Sequence, residues 1–158
     1  DYHPVLADPT LRRVAKLLGL TIHGNRREAG RIIHHVQIGA ASTSRVTELL
    51  QDASLLIVTS SRDELLVTLA NLYQIPAYRS RIVGLLIPGI APISNITRMI
   101  LDRSNIPYLR AEAETTASLY SIISEDVSKI TAADTEKLSL IRTLAEAHID
   151  FDLIDGLF

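Results

Sequence analysis

Ser60-Ser61-Arg62-Asp63 is the densest group of side chains in this sequence able to hold a ligand. It follows the apolar run Leu55–Thr59 and opens a helical pattern that starts at Asp63. Free N–H groups at a helix start, the positive end of its dipole and the fork of Arg62 would together seat a phosphate or carboxylate. The same residues also serve as plain structure, with Ser61 or Asp63 capping the helix and Arg62 paired to a neighbouring carboxylate. Nucleophilic catalysis finds no support: no histidine follows at a matching turn, and the Gly-x-Ser-x-Gly elbow is absent.

Two further turns repeat the arrangement. Pro88-Gly89-Ile90-Ala91-Pro92 follows Val83–Ile87, and Gly89 permits a positive φ or a close backbone approach. It lacks the glycines and lysine of a P-loop, so nucleotide hydrolysis is not indicated. Glu114-Thr115-Thr116, after Pro107–Arg110, either caps a helix or faces the same crevice. The acids near this rim are Asp63, Glu112 and Glu114. They leave room for a small enzyme acting on an anionic metabolite, with Arg62 as its clamp.

The histidines carry less. His34 and His35 are adjacent, so in a strand they point to opposite faces, one exposed and one packed, and do not converge on a metal. His3, His23 and His148 lie far apart. Asp150, Asp152 and Asp155 lack the glycine and terminal glutamate of an EF-hand and read as a solvated acidic end. No metal site and no cofactor is expected.

The elements that must position these turns follow from the hydrophobic pattern. Asp8-Pro9-Thr10 supplies an N-cap and first-turn proline for a helix to about Leu18, with Leu11, Val14, Ala15 and Leu18 on one face and Gly19 as its stop. Thr21–His23 and Ile33–Ile38 read as strands of an entry region, and Arg45–Leu50 as a short helix. Three strand–turn–helix units then run through 55–123. The helix Asp63–Tyr73 is apolar nearly all round, Ile93, Ile96 and Ile100 stripe the second helix, and Ala117, Tyr120 and Ile123 face inward from the third. A last helical pattern opens at Asp134 and carries Leu138, Ile141, Leu144 and Ala145. Short strands alternating with helices predict an α/β fold: a three-layer α/β/α sandwich around a mainly parallel sheet, mixed through antiparallel pairing of the entry region. In such sheets the turns at the carboxyl ends of the strands share one edge, where ligands bind.

Bulk properties narrow the classes. The 158 residues suit one domain, 1–158, and no linker divides them. A net charge of −2 without basic runs argues against nucleic acid, and 4% aromatic content leaves few stacking surfaces for bases. No apolar run approaches the ~20 residues that cross a bilayer, so no membrane partner is expected. The absence of cysteine suits a reducing compartment, and cytoplasmic residence is the expectation. The chain opens on Asp1 with no charged-then-apolar leader, which reads as a domain excised from a longer protein.

The ordered motifs resemble the DRTGG domain. Val36-Gln-Ile-Gly-Ala40 is similar to the family's entry strand, Leu56–Asp63 to its Thr-x-x-Asp/x-Arg-x-Asp segment, and Gly84–Gly89 to the strand that ends in Thr-Gly-Gly. Asn105-Ile-Pro107, Glu114–Ser118, and Lys129-Ile130 with Asp134 and Lys137-Leu138 follow in family order. The likeness spans nearly the whole chain, with 1–40 as entry segment and 41–158 as core. Pro88-Gly89-Ile90 departs from Thr-Gly-Gly, and Ser61 replaces the usual acidic residue. The resemblance implies a three-layer fold like the HPr kinase N-terminal domain. It also implies a non-catalytic regulatory, ligand-binding and dimerisation module, as found in long phosphate acetyltransferases, phosphotransacetylase-like proteins and some CBS-domain pyrophosphatases. On that expectation Ser60, Ser61, Arg62, Asp63, Gly89 and Thr115 border one crevice for a small anionic metabolite or nucleotide effector, in a homodimer. A structural spacer with an empty rim is the competing reading.

Overall fold

The computed structural model describes residues 9–126. The expectations placed on His3, Lys129, Ile130, Asp134, Lys137, Leu138, Ile141, Leu144, Ala145, His148, Asp150, Asp152 and Asp155 lie outside the described residues.

Four strands form one sheet: β1 (His35–Ile38), β2 (Ser54–Ile57), β3 (Ile82–Pro88) and β4 (Tyr108–Ala111), in spatial order β1-β2-β3-β4 and all parallel. Parallel neighbours need a crossover, and here each is helical. Helix α2 (Thr43–Glu48) links β1 to β2, α3 (Asp63–Tyr73) and α4 (Pro76–Arg79) link β2 to β3, and α5 (Asn95–Ser104) links β3 to β4. Helix α1 (Leu11–Leu18) precedes the sheet, and residues 116–126 form α6 after it.

The strands bury alternate residues on both sides, which makes three layers. Leu56, Val58, Leu85 and Ile87 pack with Leu65, Leu66 and Leu69 of α3 and Leu101 of α5. Leu55, Ile57, Leu86 and Leu109 pack with Leu11 and Val14 of α1 and Leu119 and Ile123 of α6. At 25 cal/mol per Å² of apolar area, each such leucine contributes on the order of 2 kcal/mol when buried. Arg13 and Asp126 join α1 to α6 at 3.1 Å. One bulge interrupts the alternation: Ser54 pairs with Ile82 but Leu55 with Gly84. Val83 and position 84 therefore face α1 together, and a side chain at Gly84 would lie 2.9 Å from the Pro107 carbonyl and 3.0 Å from Leu11.

Several boundaries differ from the sequence reading. Thr10, not Asp8, caps α1, its Oγ1 accepting from the Arg13 N–H; Gly19 ends the helix at φ +67°. The expected strand Thr21–His23 is reduced to one antiparallel bridge between His23 and Tyr108, their rings stacked at 4.8 Å. His34 precedes the strand proper, so the predicted opposition of the two histidines fails. Both are exposed, His34 Nδ1 lying 3.7 Å from the Asp52 carboxylate and His35 Nδ1 2.8 Å from the Asp52 carbonyl.

Ser94 caps α5 two residues later than the stripe implied, which turns Ile96 outward and Thr97, Leu101 and Ser104 inward. In α6 it is Leu119 that joins Ile123 in the core, while Ala117 and Tyr120 are exposed. Helix α3 has its predicted bounds, and its apolar girth is covered within the domain by the sheet, α2, α4 and α5.

Tyr108 gives the fold a measurable alkaline limit. Burial first, then the hydrogen bond its hydroxyl donates to Asp102 at 2.9 Å and the charge of that carboxylate, push its pKa from 10.0 up to about 12. The folded value lies above the unfolded one, so this contribution is complete below pH ~10 and is lost as pH rises toward about 12. Urea midpoints should fall across that window. Tyr108→Phe should lower stability by about 1 kcal/mol at neutral pH and flatten the alkaline fall, leaving the part due to Tyr73, which burial also raises.

Candidate functional site

The carboxyl ends of β2, β3 and β4 open on one edge because the strands are parallel and in order. Hydrogen bonding between β2 and β3 runs past the regular strands: the Val58 N–H donates to Leu86 at 3.0 Å and the Ser60 N–H to Pro88 at 2.9 Å. Gly89 then turns the chain at φ +110°, a conformation that only glycine adopts readily. A crevice of about 480 Å³ lies beside this turn, walled by Thr59, Gly89, Ile90, Glu112, Glu114 and Thr115 among others. A neighbouring hollow of about 370 Å³ shares residues 112–114 and adds Leu18, Leu20 and Arg110.

Of the six residues expected at the rim, Gly89 and Thr115 line the crevice. Ser60 lies beneath Gly89, 2% exposed, and its Oγ would be 2.9 Å from any β-carbon placed on that glycine. That hydroxyl and the Tyr73 hydroxyl are buried without a hydrogen-bond partner. Ser61 is exposed, with its Oγ 3.1 Å from Thr59 Oγ1. Asp63 turns toward α5, where its Oδ1 accepts from Thr97 Oγ1 at 3.2 Å. Thr115 caps α6: its Oγ1 accepts from the Ser118 N–H at 3.1 Å, while Ser118 Oγ accepts from the Thr115 N–H at 3.3 Å and donates to Glu114 at 2.8 Å.

Arg62 points elsewhere. Its Nη1 donates to the Gly39 carbonyl at 3.0 Å and its Nε to Glu64 at 3.0 Å, so the guanidinium ties the exit of β1 to the start of α3. The Glu64 carboxyl is held below its usual range, first by its own backbone N–H and then by Arg62. Arg62 is also the N-cap residue of α3 and makes no side-chain cap bond.

Arg110 is the residue that the sequence reading passed over. It lies at the end of β4 opposite Ile87. From there Nη1 donates to the Ile87 carbonyl at 2.9 Å, and Nη2 to those of Gly89 at 2.7 Å and Ala91 at 2.9 Å. Burial, opposed by the Glu112 charge, lowers its pKa. The available signal was a lone charge closing an otherwise apolar strand. Arg110 thus sets the shape of the turn that walls the crevice. Among the described residues that line the crevice, the ionisable side chains are Glu112 and Glu114. The wall offers hydroxyls and carboxylates, suited to sugar hydroxyls, amines or a phosphate-bound cation.

No family model matches the chain, and no curated protein matches it. Among solved structures it is similar to the crystal structure of the CBS and DRTGG domains of the regulatory region of Clostridium perfringens pyrophosphatase, complexed with the activator diadenosine tetraphosphate. The TM-score is 0.56 at 13% identity, over 80% of this chain and 52% of that one. The fold is DRTGG-like. The chain spans about half the length of that neighbour. Within the DRTGG-like fold the three-layer sandwich is as the sequence predicted.

Arg110→Met should free the 88–91 turn. The loss of a guanidinium on three carbonyls is expected to cost about 1.5–3 kcal/mol in urea unfolding. Hydrogen exchange should rise at residues 89–91 more than at Leu65–Leu69 of α3.

Proposed function

We propose that this domain is a non-catalytic regulatory module whose crevice, between the Gly89 turn and Glu112–Thr116, takes a nucleotide-class effector. The observation that supports it most is the crevice itself: a glycine-turned, largely apolar hollow with threonines and two glutamates on its wall, at the carboxyl edge of a parallel sheet. The fold neighbour binds a dinucleoside polyphosphate activator, which makes nucleotides the first class to try. With Glu112 and Glu114 on the wall and Arg110 engaged by carbonyls, an anionic effector binds as its magnesium complex, its sugar hydroxyls toward the threonines and carboxylates. The parent protein is taken, from the sequence resemblance, to be phosphate acetyltransferase-like, and the domain to act as a homodimer in a reducing, cytoplasmic setting.

Thermal shift with mono- and dinucleotides, pyruvate and acetyl phosphate, with and without magnesium, tests the ligand. A nucleotide should raise the melting temperature only with the cation, and Gly89→Val together with Glu114→Gln should weaken binding at least tenfold by calorimetry. Binding of equal strength in that double variant would remove the effector from this crevice. Failure of every ligand at millimolar concentration would leave a structural spacer.

A further inference from the structure

Ser60 carries a hydroxyl that the fold leaves without a partner at the border of the crevice. The residue is 2% exposed, and its Oγ has no hydrogen-bond partner among the described residues. Buried hydroxyls are nearly always bonded, so an orphaned one needs a physical reason. Its cover is Gly89, itself a residue of the crevice wall. A β-carbon on that glycine would have Ser60 Oγ, N and Cβ as its nearest neighbours, at 2.9, 3.6 and 3.9 Å.

That cover is held lightly. β3 is buried through Pro88, and the chain is buried again at Ile93. Between them Ile90, Ala91 and Pro92 are exposed, Ile90 at 91%, so no packing anchors the tip of the turn. The N–H groups of Gly89, Ile90 and Ala91 make no backbone hydrogen bond among the described residues, and Pro92 has no N–H to give. What ties the turn down is Arg110, whose Nη2 donates to the Gly89 and Ala91 carbonyls while Nη1 holds Ile87 within β3. Gly89, at φ +110°, is the residue best able to change conformation, because it has no β-carbon to clash.

We propose that residues 89–92 are a lid latched by Arg110, and that Ser60 is a ligand-binding residue which the closed lid hides. Opening lifts Gly89 off Ser60 and adds the hydroxyl to the crevice wall beside Thr59. The closed state keeps a buried group unsatisfied, and the open state lets water or ligand satisfy it, which narrows the free-energy gap between the two. On opening, Arg110 releases the Gly89 and Ala91 carbonyls and keeps that of Ile87, so the latch stays in position to re-form. As a neutral donor, Ser60 suits an acceptor oxygen of a phosphate group, which the carboxylates of Glu112 and Glu114 do not. That contact rests on the nucleotide reading above; the lid does not.

The chain has no cysteine, so Ser60→Cys gives a sole thiol beneath the lid. Its labelling by a dithiodipyridine, followed at rising urea, reads the opening. Below the unfolding transition the rate should be nearly independent of urea, because local opening exposes little surface, and Arg110→Met should raise it at least tenfold. A rate that climbs with urea as global unfolding does, with and without Arg110→Met, overturns the lid. Calorimetry with the magnesium complexes of ATP and diadenosine tetraphosphate needs no thiol. Arg110→Met should tighten binding, because more of the chain is already open, and Ser60→Ala should weaken it at least fivefold without lowering the melting temperature. Equal or weaker binding in Arg110→Met overturns the latch, and unchanged binding in Ser60→Ala overturns the contact. Local labelling in a chain that binds neither nucleotide removes the effector reading and the Ser60 contact with it, and leaves the lid standing.

Discussion

A parallel sheet cannot leave a face to water when its central strands are apolar on both sides, and that constraint orders this molecule. β2 and β3 expose nothing: every residue of Ser54–Ile57 and Ile82–Pro88 is buried. The crossovers α2, α3 and α5 cover only one face, so the other must be closed by helices from outside the strand-to-strand connections. That is the work of α1 and α6, which arrive from before β1 and after β4 and are joined by Arg13 and Asp126. The entry region is therefore part of the core, because Leu11 and Val14 lie against Leu55 and Leu86.

The same constraint explains what the sequence made legible. Apolar runs bounded by polar turns marked β2 and β3, since strands buried on both faces must be continuously apolar, whereas the exposed β1 could be read only from its alternation. The bounds of α3, Asp63–Tyr73, could be read for the same reason. Helix phase was harder, because it depends on which residue caps. In α5 the cap at Ser94 left Ile93 buried and Ile100 half-buried but turned Ile96 outward, with Thr97, Leu101 and Ser104 completing the buried stripe. In α6 the reciprocal bonds of Thr115 and Ser118 put Leu119 rather than Tyr120 inside. Apolar residues on both candidate faces let periodicity fit either phase, and the cap decided between them.

The placement of the turns was legible, and the direction of their side chains was not. Position along a parallel sheet follows from strand order, so the rim near Gly89 and Thr115 could be located from sequence. The direction of a long side chain cannot be so located when its partners are backbone carbonyls distant in the chain. Arg62 reaches Gly39, 23 residues earlier, and Arg110 reaches Ile87, also 23 residues earlier. No residue type advertises a carbonyl. Both arginines stand where an anion clamp would, and both are held by backbone. The ionisable side chains on the crevice wall are Glu112 and Glu114, which reverses the electrostatics that Arg62 suggested.

Arg62 nevertheless has a place in the design. It occupies the N-cap position of α3 without a cap bond, follows Thr59 of the crevice wall by three residues, and donates to the carbonyl of Gly39, the residue after β1. The exit of β1 and the start of α3 are thus tied by one side chain. The buried Ser60 hydroxyl meets Gly89 by shape rather than by a hydrogen bond. The 59–62 segment reads best as the joint that holds β1, the third helix and the Thr59 side of the crevice in a single geometry.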